Sequence, residues 1–355
     1  MSRNPLEPGR NLRRALRLAI ALAMACVVPS RGADLFSTGK GAPKARVVVV
    51  QERNATDAFK PRPEKIQAMV LRAITNLTGK PTAREAWLSL VSTQDVVGIK
   101  VFSLPGANSG TRPAVAGAVA GDLIRSGLPP KQIIVWDRSE MDLREAGFFA
   151  LADRLGIRVA GGIQAGYDLT NYYDTALIGN LVWGDVEFGK SGEGIGRKSF
   201  VSKLVSEEIT KIISLTPLLN HNDAGVSGHL YGLAMGSVDN TVRFEADATR
   251  LSRAVPEIYA LASVGDKVVL NITDALVCQY EGGQRGLLHY SSVLNQLRFS
   301  RDPVALDVLS IKDLDRLRRN SKAPYIRPNL ELYQNAALLE LGVSDLKRIQ
   351  VDNVK

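Results

Sequence analysis

The chain has 355 residues, with 45 basic and 36 acidic side chains, a formal charge of +9 and 45% apolar residues. Those values fit one or two globular domains with a sizeable core and exclude a repeat array or a disordered chain. Six arginines and one glutamate fall within residues 1–32; the rest is only mildly basic and lacks basic blocks, so no nucleic-acid partner is expected.

The N-terminus reads as an export signal over residues 1–32. Arg10, Arg13, Arg14 and Arg17 precede a short apolar run, Leu18 to Val28, and Pro29-Ser-Arg-Gly-Ala offers small residues for cleavage after Gly32. The run is too short for a comfortable transmembrane helix. The mature protein is therefore expected in the periplasm or outside the cell, with no transmembrane span. The competing reading is a buried N-terminal helix. Arg13-Arg14 leaves a twin-arginine route open, and Ala23-Met-Ala-Cys26 gives a lesser reading as a lipoprotein anchored at Cys26. Without residues 1–32, Cys278 is the one cysteine left. An internal disulfide, a cysteine-ligated iron–sulfur cluster and a Cys-rich zinc site are then not expected.

Residues 33–45 read as a polar linker. Arg46-Val-Val-Val-Val-Gln is a short β-branched run and predicts a buried strand. Glu64 to Leu77 has helical spacing and ends at Gly79-Lys-Pro, and Ala83 to Leu90 suits a short helix. Asp95 to Phe102 is a second strand. A Gly/Ser/Asn loop follows, then a small-residue helix from Pro113 to Ser126. Lys131 to Trp136 is a third strand, parallel to the second through a βαβ unit. Leu143 to Leu155 predicts a helix. Residues 160–200 read as an irregular insert, a lid, small subdomain or strand pair, with short strands near Asn180–Trp183. Further strands are expected at Ile209–Leu215, 267–274 and Leu294–Phe299. Helices are expected at Leu251–Ala262 despite Pro256, from Asp302-Pro303 to about Arg318, and at Tyr333–Leu341. The fold class is α/β, a mixed, largely parallel sheet flanked by helices.

The chemistry gathers around Thr216 to Gly232, which holds two of the three histidines. Asn220, His221 and Asp223 are expected just past a strand's carboxyl end, where open α/β sheets hold ligands. Lys100, Asp137 and Asp274 also fall near predicted strand ends. If those strands are parallel neighbours, these groups share one edge and one pocket with His221. Lys100 sits in an apolar run, so its charge needs an acid, a ligand or deprotonation. His221 could serve as acid/base or metal ligand, or bond to backbone as an ordinary loop residue. For His229 and His289 the ordinary roles are favoured. Gly282, Gly283 and Gly286 around Arg285 could bring backbone amides and a guanidinium to an anion, or form a plain turn. Asp302 suits a helix N-cap. Asp307, in an apolar helix start, needs a partner such as Lys100 or a ligand. The sequence has no P-loop, no Gly-x-Ser-x-Gly elbow and no His-Glu-x-x-His, and Gly192 to Lys198 is not preceded closely by a strand as a dinucleotide loop requires.

Val97-Gly-Ile-Lys-Val, Thr111-Arg-Pro113, Ile133-Ile-Val-Trp-Asp137, Thr216-Pro-Leu-Leu-Asn-His221, Asn271-Ile-Thr-Asp-Ala275, Glu281-Gly-Gly and Ser300-Arg-Asp-Pro-Val-Ala-Leu-Asp307 occur in that order. The series resembles the domain-of-unknown-function family 362, from roughly residue 46 to the C-terminus. The resemblance implies a mixed α/β domain, often exported in bacteria, with no settled activity. Some members add a ferredoxin-like cluster domain, which the cysteine count removes here. Many members carry Pro-Lys-x-Lys-x-His where this chain has Pro217-Leu-Leu-Asn-His221, keeping the histidine without the lysines.

Two functional classes follow. One is an exported enzyme acting on a small anionic or metal-bound substrate, with His221 as acid/base or ligand and Lys100 as charge anchor. The other is a non-catalytic periplasmic protein that binds a small molecule or metal in the same place. Asn220, Asp223, Asp137, Asp274, Arg285 and Asp307 are the expected ligand contacts in either case. Cofactor, metal and oligomeric state are left open.

Overall fold

The computed structural model describes residues 44–245, 247–321 and 330–354. The expected export signal and nearly all of the linker lie outside them. Strand β1 is Ala45–Gln51; β2, Thr56–Asp57, and β3, Lys60–Pro61, make a small hairpin. β4 is Val97–Lys100, β5 Ile133–Asp137 and β6 Arg158–Gly161. β7, Tyr167–Asp174, pairs antiparallel with β8, Lys198–Ser202. β9 is Lys211–His221, β10 Gly225–Val226, β11 Val268–Gln279, β12 Ser291–Ser300 and β13 Ile349–Val354. The main sheet runs β13-β1-β12-β11-β9-β4-β5-β6, with β10 paired to β9. β12 alone opposes the other seven strands of that path.

Alternating side chains feed two cores. Ile133, Val135, Ile213 and Leu215 face one layer, built with helices Pro63–Thr78, Ala83–Leu88, Pro113–Arg125 and Phe148–Leu155. Ile134, Trp136 and Ile212 face the other, built with helices His229–Ser237, Ala248–Tyr259, Pro303–Ser321 and Glu331–Leu338. The α/β reading, largely parallel and flanked by helices, is what the chain adopts.

Local chemistry sets most boundaries. Pro63 and Pro113 each sit in the first turn of a helix, where a missing N–H costs nothing. The single helix expected over 143–155 is two, Glu140–Glu145 and Phe148–Leu155, because Gly147 turns left-handed at φ +89° between them. Within the insert a strand pair forms, but not near Asn180–Trp183. There Asp185 accepts from Val182 N and from Asn240 N, and the segment turns instead.

The largest departure concerns β9 and β11. Both run well past the ends expected at 215 and 274. Pro217 lacks an N–H, and beside it the β9–β11 register slips between Asp274 and Gln279. Beyond this irregularity β9 continues by pairing back on β10, and β11 by pairing on β12. Asn220 and His221 are thus strand residues rather than loop residues past a strand end.

Chain order places the site. From β4 the chain moves outward to β5 and β6, then returns on the other side of β4 as β9 and passes on to β11. The direction reverses between β4 and β9, the position where open α/β sheets leave a crevice at the carboxyl ends of their strands. Helix His229–Ser237 occupies that crevice, and all nine of its residues are buried, as an apolar-all-round helix must be.

Candidate functional site

Lys100 ends β4 and is fully buried. Its Nζ donates to Asp137 Oδ1 at 2.8 Å and to the Val101 carbonyl at 2.7 Å, and lies 5.5 Å from the Trp136 ring centre. Asp137, at the end of neighbouring β5, also accepts from Ser103 N and Ser103 Oγ at 2.7 Å and from Arg138 N at 2.8 Å. A buried ammonium and carboxylate are tolerable only when paired and hydrogen-bonded in this way. Helix His229–Ser237 closes over the ammonium. A Cβ on Gly236 would stand 2.4 Å from Lys100 Cε and 2.8 Å from Nζ, so any larger residue there must displace the ammonium.

The other end of that helix is held by Asp307. Its two carboxylate oxygens accept from His229 N at 2.8 Å and Leu230 N at 3.0 Å. An anion at the N-terminus and an ammonium beside the C-terminal turn both oppose the helix macrodipole. Asp307 therefore finds its partner in backbone N–H groups, not in Lys100. Burial pushes its carboxyl up to about 7, against the pull of those two donors. His229 is fully buried, with Nδ1 2.8 Å from Ser214 Oγ and Nε2 3.0 Å from Thr273 Oγ1. It ties the helix to β9 and β11, and burial pushes it down to about 3. Asp302 caps the next helix through Ala305 N, as expected.

Asp274 pairs with Arg112, at 3.0 Å from Nη1, and accepts from Arg112 N. Arg112 also donates to the Asn108 and Val277 carbonyls. This buried pair fixes the loop after β4 to the irregular stretch of β11. Thr111 adds a second tie, accepting from Phe102 N and donating to the Leu215 carbonyl.

His221 sits at the β9–β10 hairpin. Its Nδ1 accepts from Asp223 N at 3.2 Å and Ala224 N at 3.1 Å, so the neutral ring carries its proton on Nε2. Its ring lies 4.3 Å from that of Tyr231. Burial pushes it down to about 4, so it is uncharged at neutral pH rather than titrating there. Asn220 Nδ2 donates to Asn222 Oδ1, while Asn220 Oδ1 is buried without a partner among the described residues. Asp223 is half-buried on the hairpin turn, and Arg285 is exposed. The glycine loop wraps around Gln279, whose Nε2 donates to the carbonyls of Glu281, Gly283 and Arg285 and whose Oε1 accepts from Leu287 N. Gly282 and Gly283 adopt φ of +92° and +60° to make that turn. The plain-turn reading thus accounts for this loop. Exposed His289 lies with its ring 4.1 Å from that of Tyr290.

The singled-out residues therefore fall into separate clusters: Lys100 with Asp137, Arg112 with Asp274, Asp307 with the buried helix, and His221 with Tyr231. Among the described residues no hydrogen bond or ion pair joins His221 to Lys100 or to Asp274.

Beyond the ends of β4 and β5 a cleft of about 230 Å³ opens. Phe102 and Leu104 line it from the loop after β4, and Asp137, Arg138 and Asp142 from the segment after β5. Tyr231, Met235 and Gly236 form the wall given by the buried helix, and Thr241, Glu245 and Gln284 complete it. Of the expected site residues, Asp137 lines this cleft. Arg138 Nη1 donates to Thr241 Oγ1 and Nη2 lies 3.8 Å from Asp185. Gln284 Nε2 donates to Tyr231 Oη at 2.8 Å. Asp142 is pushed up to about 6, first by partial burial and then by the charges of Asp137 and Glu145. Among the described residues no group of three or more His, Cys, Asp or Glu is placed to hold a metal ion, and no helix is long and apolar enough to cross a membrane.

The family described as domain of unknown function (DUF362) matches residues 97–312, from β4 into helix Pro303–Ser321 and across the whole cleft. The chain belongs to this family. No curated protein matches it. Among solved structures, a crystal structure of a protein from Thermotoga maritima is similar, at 13% identity and a TM-score of 0.41, covering 76% of this chain and 62% of that one. The chain thus spans less than two thirds of that protein's length. In this DUF362 domain the motif residues Lys100, Thr111, Arg112, Asp274 and Asp307 all make internal bonds. The cleft residues Arg138, Asp142, Tyr231, Glu245 and Gln284 were missed in sequence. Arg138 follows a strand end and Tyr231 lies in the histidine stretch, so position was a signal for both. Asp142, Glu245 and Gln284 look like any surface polar residue.

Proposed function

We propose that the protein is exported and binds a small polar molecule in the cleft at the carboxyl ends of β4 and β5, with Asp142 able to exchange a proton with that molecule. The observation that carries this reading is the cleft itself. It lies at the carboxyl ends of β4 and β5, against the helix that fills the crevice between β4 and β9, and it combines apolar walls, Phe102, Leu104, Tyr231 and Met235, with polar groups. A half-buried carboxyl pushed up to about 6 is populated in both protonation states near neutral pH, as a general acid or base requires. In this reading Lys100 shapes the site by holding Asp137 in place, and His221 supports Tyr231 from behind. The charge of Lys100 is already taken up by Asp137 and the Val101 carbonyl, which removes the support for an anionic substrate anchored on it.

A thermal-shift screen of small metabolites, followed by turnover assays on hits, tests the proposal. A hit must lose its effect on Leu104→Trp, a rim residue that is 53% exposed and can carry a larger ring without disturbing the core. A hit that survives this substitution places binding elsewhere and overturns the reading. Binding without turnover selects the non-catalytic form. Export rests on residues 1–32, and recovery of the intact Met1 form from cytosol would refute it.

A further inference from the structure

The charge balance inside the cleft is uneven. Asp137 is neutralised by Lys100, 2.8 Å away. Arg138 is drawn toward Thr241 and Asp185. Asp142 and Glu245 have no hydrogen-bond or ion-pair partner among the described residues, so the open charge is negative. Two buried hydroxyls add a second, independent feature. Tyr231 is 4% exposed and accepts from Gln284, and Thr241 is 1% exposed and accepts from Arg138. With the Gln284 amide in this orientation, neither hydroxyl proton has an acceptor among the described residues. Buried donors are rarely left unused.

We infer that the ligand is a small primary amine that also bears hydroxyl groups. This deepens the proposal above and rests on it. The ammonium meets Asp142 and Glu245, ligand oxygens accept from Tyr231 and Thr241, and C–H faces lie on the Tyr231 and Phe102 rings. An ammonium desolvated beside an aromatic face gains cation–π attraction as well. A cleft of about 230 Å³ matches a ligand of the size of a single sugar ring.

Three probes that share one ring separate the possibilities: glucosamine, glucose and glucuronate, titrated into the full-length protein by calorimetry. The expected result is binding of glucosamine, at least about tenfold weaker for glucose, and none for glucuronate. Asp142→Asn and Glu245→Gln, both at accessible side chains, should each weaken glucosamine by about tenfold without lowering the melting temperature. Glucosamine should also bind more weakly at pH 5 than at pH 7, because Asp142 is pushed up to about 6 and is mostly protonated at the lower pH. Glucuronate or glucose binding as tightly as glucosamine overturns the amine while leaving the cleft as a site. Failure of all three overturns the hydroxylated amine, and the broader screen with Leu104→Trp then decides the cleft separately.

Discussion

Replacing Lys100 by methionine tests whether the buried ion pair is structural. Methionine matches the length of the stem and removes the charge. Breaking one partner of a buried pair costs about 3–5 kcal/mol, mostly because the other charge is stranded. Asp137 keeps three donors, Ser103 N, Ser103 Oγ and Arg138 N, which places the cost near the lower end, about 3 kcal/mol. The Val101 carbonyl also loses its donor, worth about 1 kcal/mol. Asp137→Asn alone strands the ammonium instead. The double variant removes both charges, so its loss should fall short of the summed single losses by about 2 kcal/mol. Urea unfolding midpoints for the four proteins measure this directly. Additivity within about 0.5 kcal/mol would refute the coupling. A Lys100→Met protein of near wild-type stability that has lost ligand binding would return Lys100 to the role of ligand anchor.

The same pair is read from the opposite side by Gly236→Ala, whose Cβ would press on Lys100 at 2.4 Å and should cost about 3 kcal/mol by displacing the ammonium. Gly232→Ala is the control: its Cβ meets only ordinary contacts at 3.5 and 3.7 Å, so helix propensity should leave it neutral or up to about 1 kcal/mol more stable. Equal effects of the two substitutions, measured as urea midpoints, would contradict the geometry. A pH series tests the buried titratable groups. His221 and His229 are pushed down to about 4 and about 3, so from pH 6.5 downward the unfolded chain binds protons that the folded one refuses, and stability falls. Asp307 is pushed up to about 7, so between pH 7 and about 4 the folded chain binds the extra proton, and stability rises as pH falls. Between pH 7 and pH 5 each histidine costs roughly 2 kcal/mol and Asp307 returns about as much. Asp307→Asn should therefore lose about 2 kcal/mol more than wild type over that interval; parallel pH profiles would show that Asp307 does not titrate there.

The order of strands and helices was legible because it rests on local chemistry. β-branched runs such as 47–50 and 133–136 favour buried strands, prolines at 63 and 113 can start helices but not continue them, and Asp302 caps the helix it precedes. The need of Lys100 for an acid was also legible, since an ammonium in an apolar run cannot stand alone, and Asp137 was among the acids placed near it at the predicted strand ends. Other features depended on which segments became neighbours. The β-branched run ends at Leu215, yet pairing with β10 carries the strand on to His221. Helix His229–Ser237 has no polar face, so its role in closing the crevice between β4 and β9 emerges only from packing. That packing gives Asp307 the backbone N–H groups of His229 and Leu230 and sends Asp274 to Arg112. It also assembles the cleft from segments as distant as Phe102 and Gln284. A side chain's need for a partner is fixed by its own charge and surroundings along the chain, whereas the partner it finds depends on tertiary contacts that no local window contains.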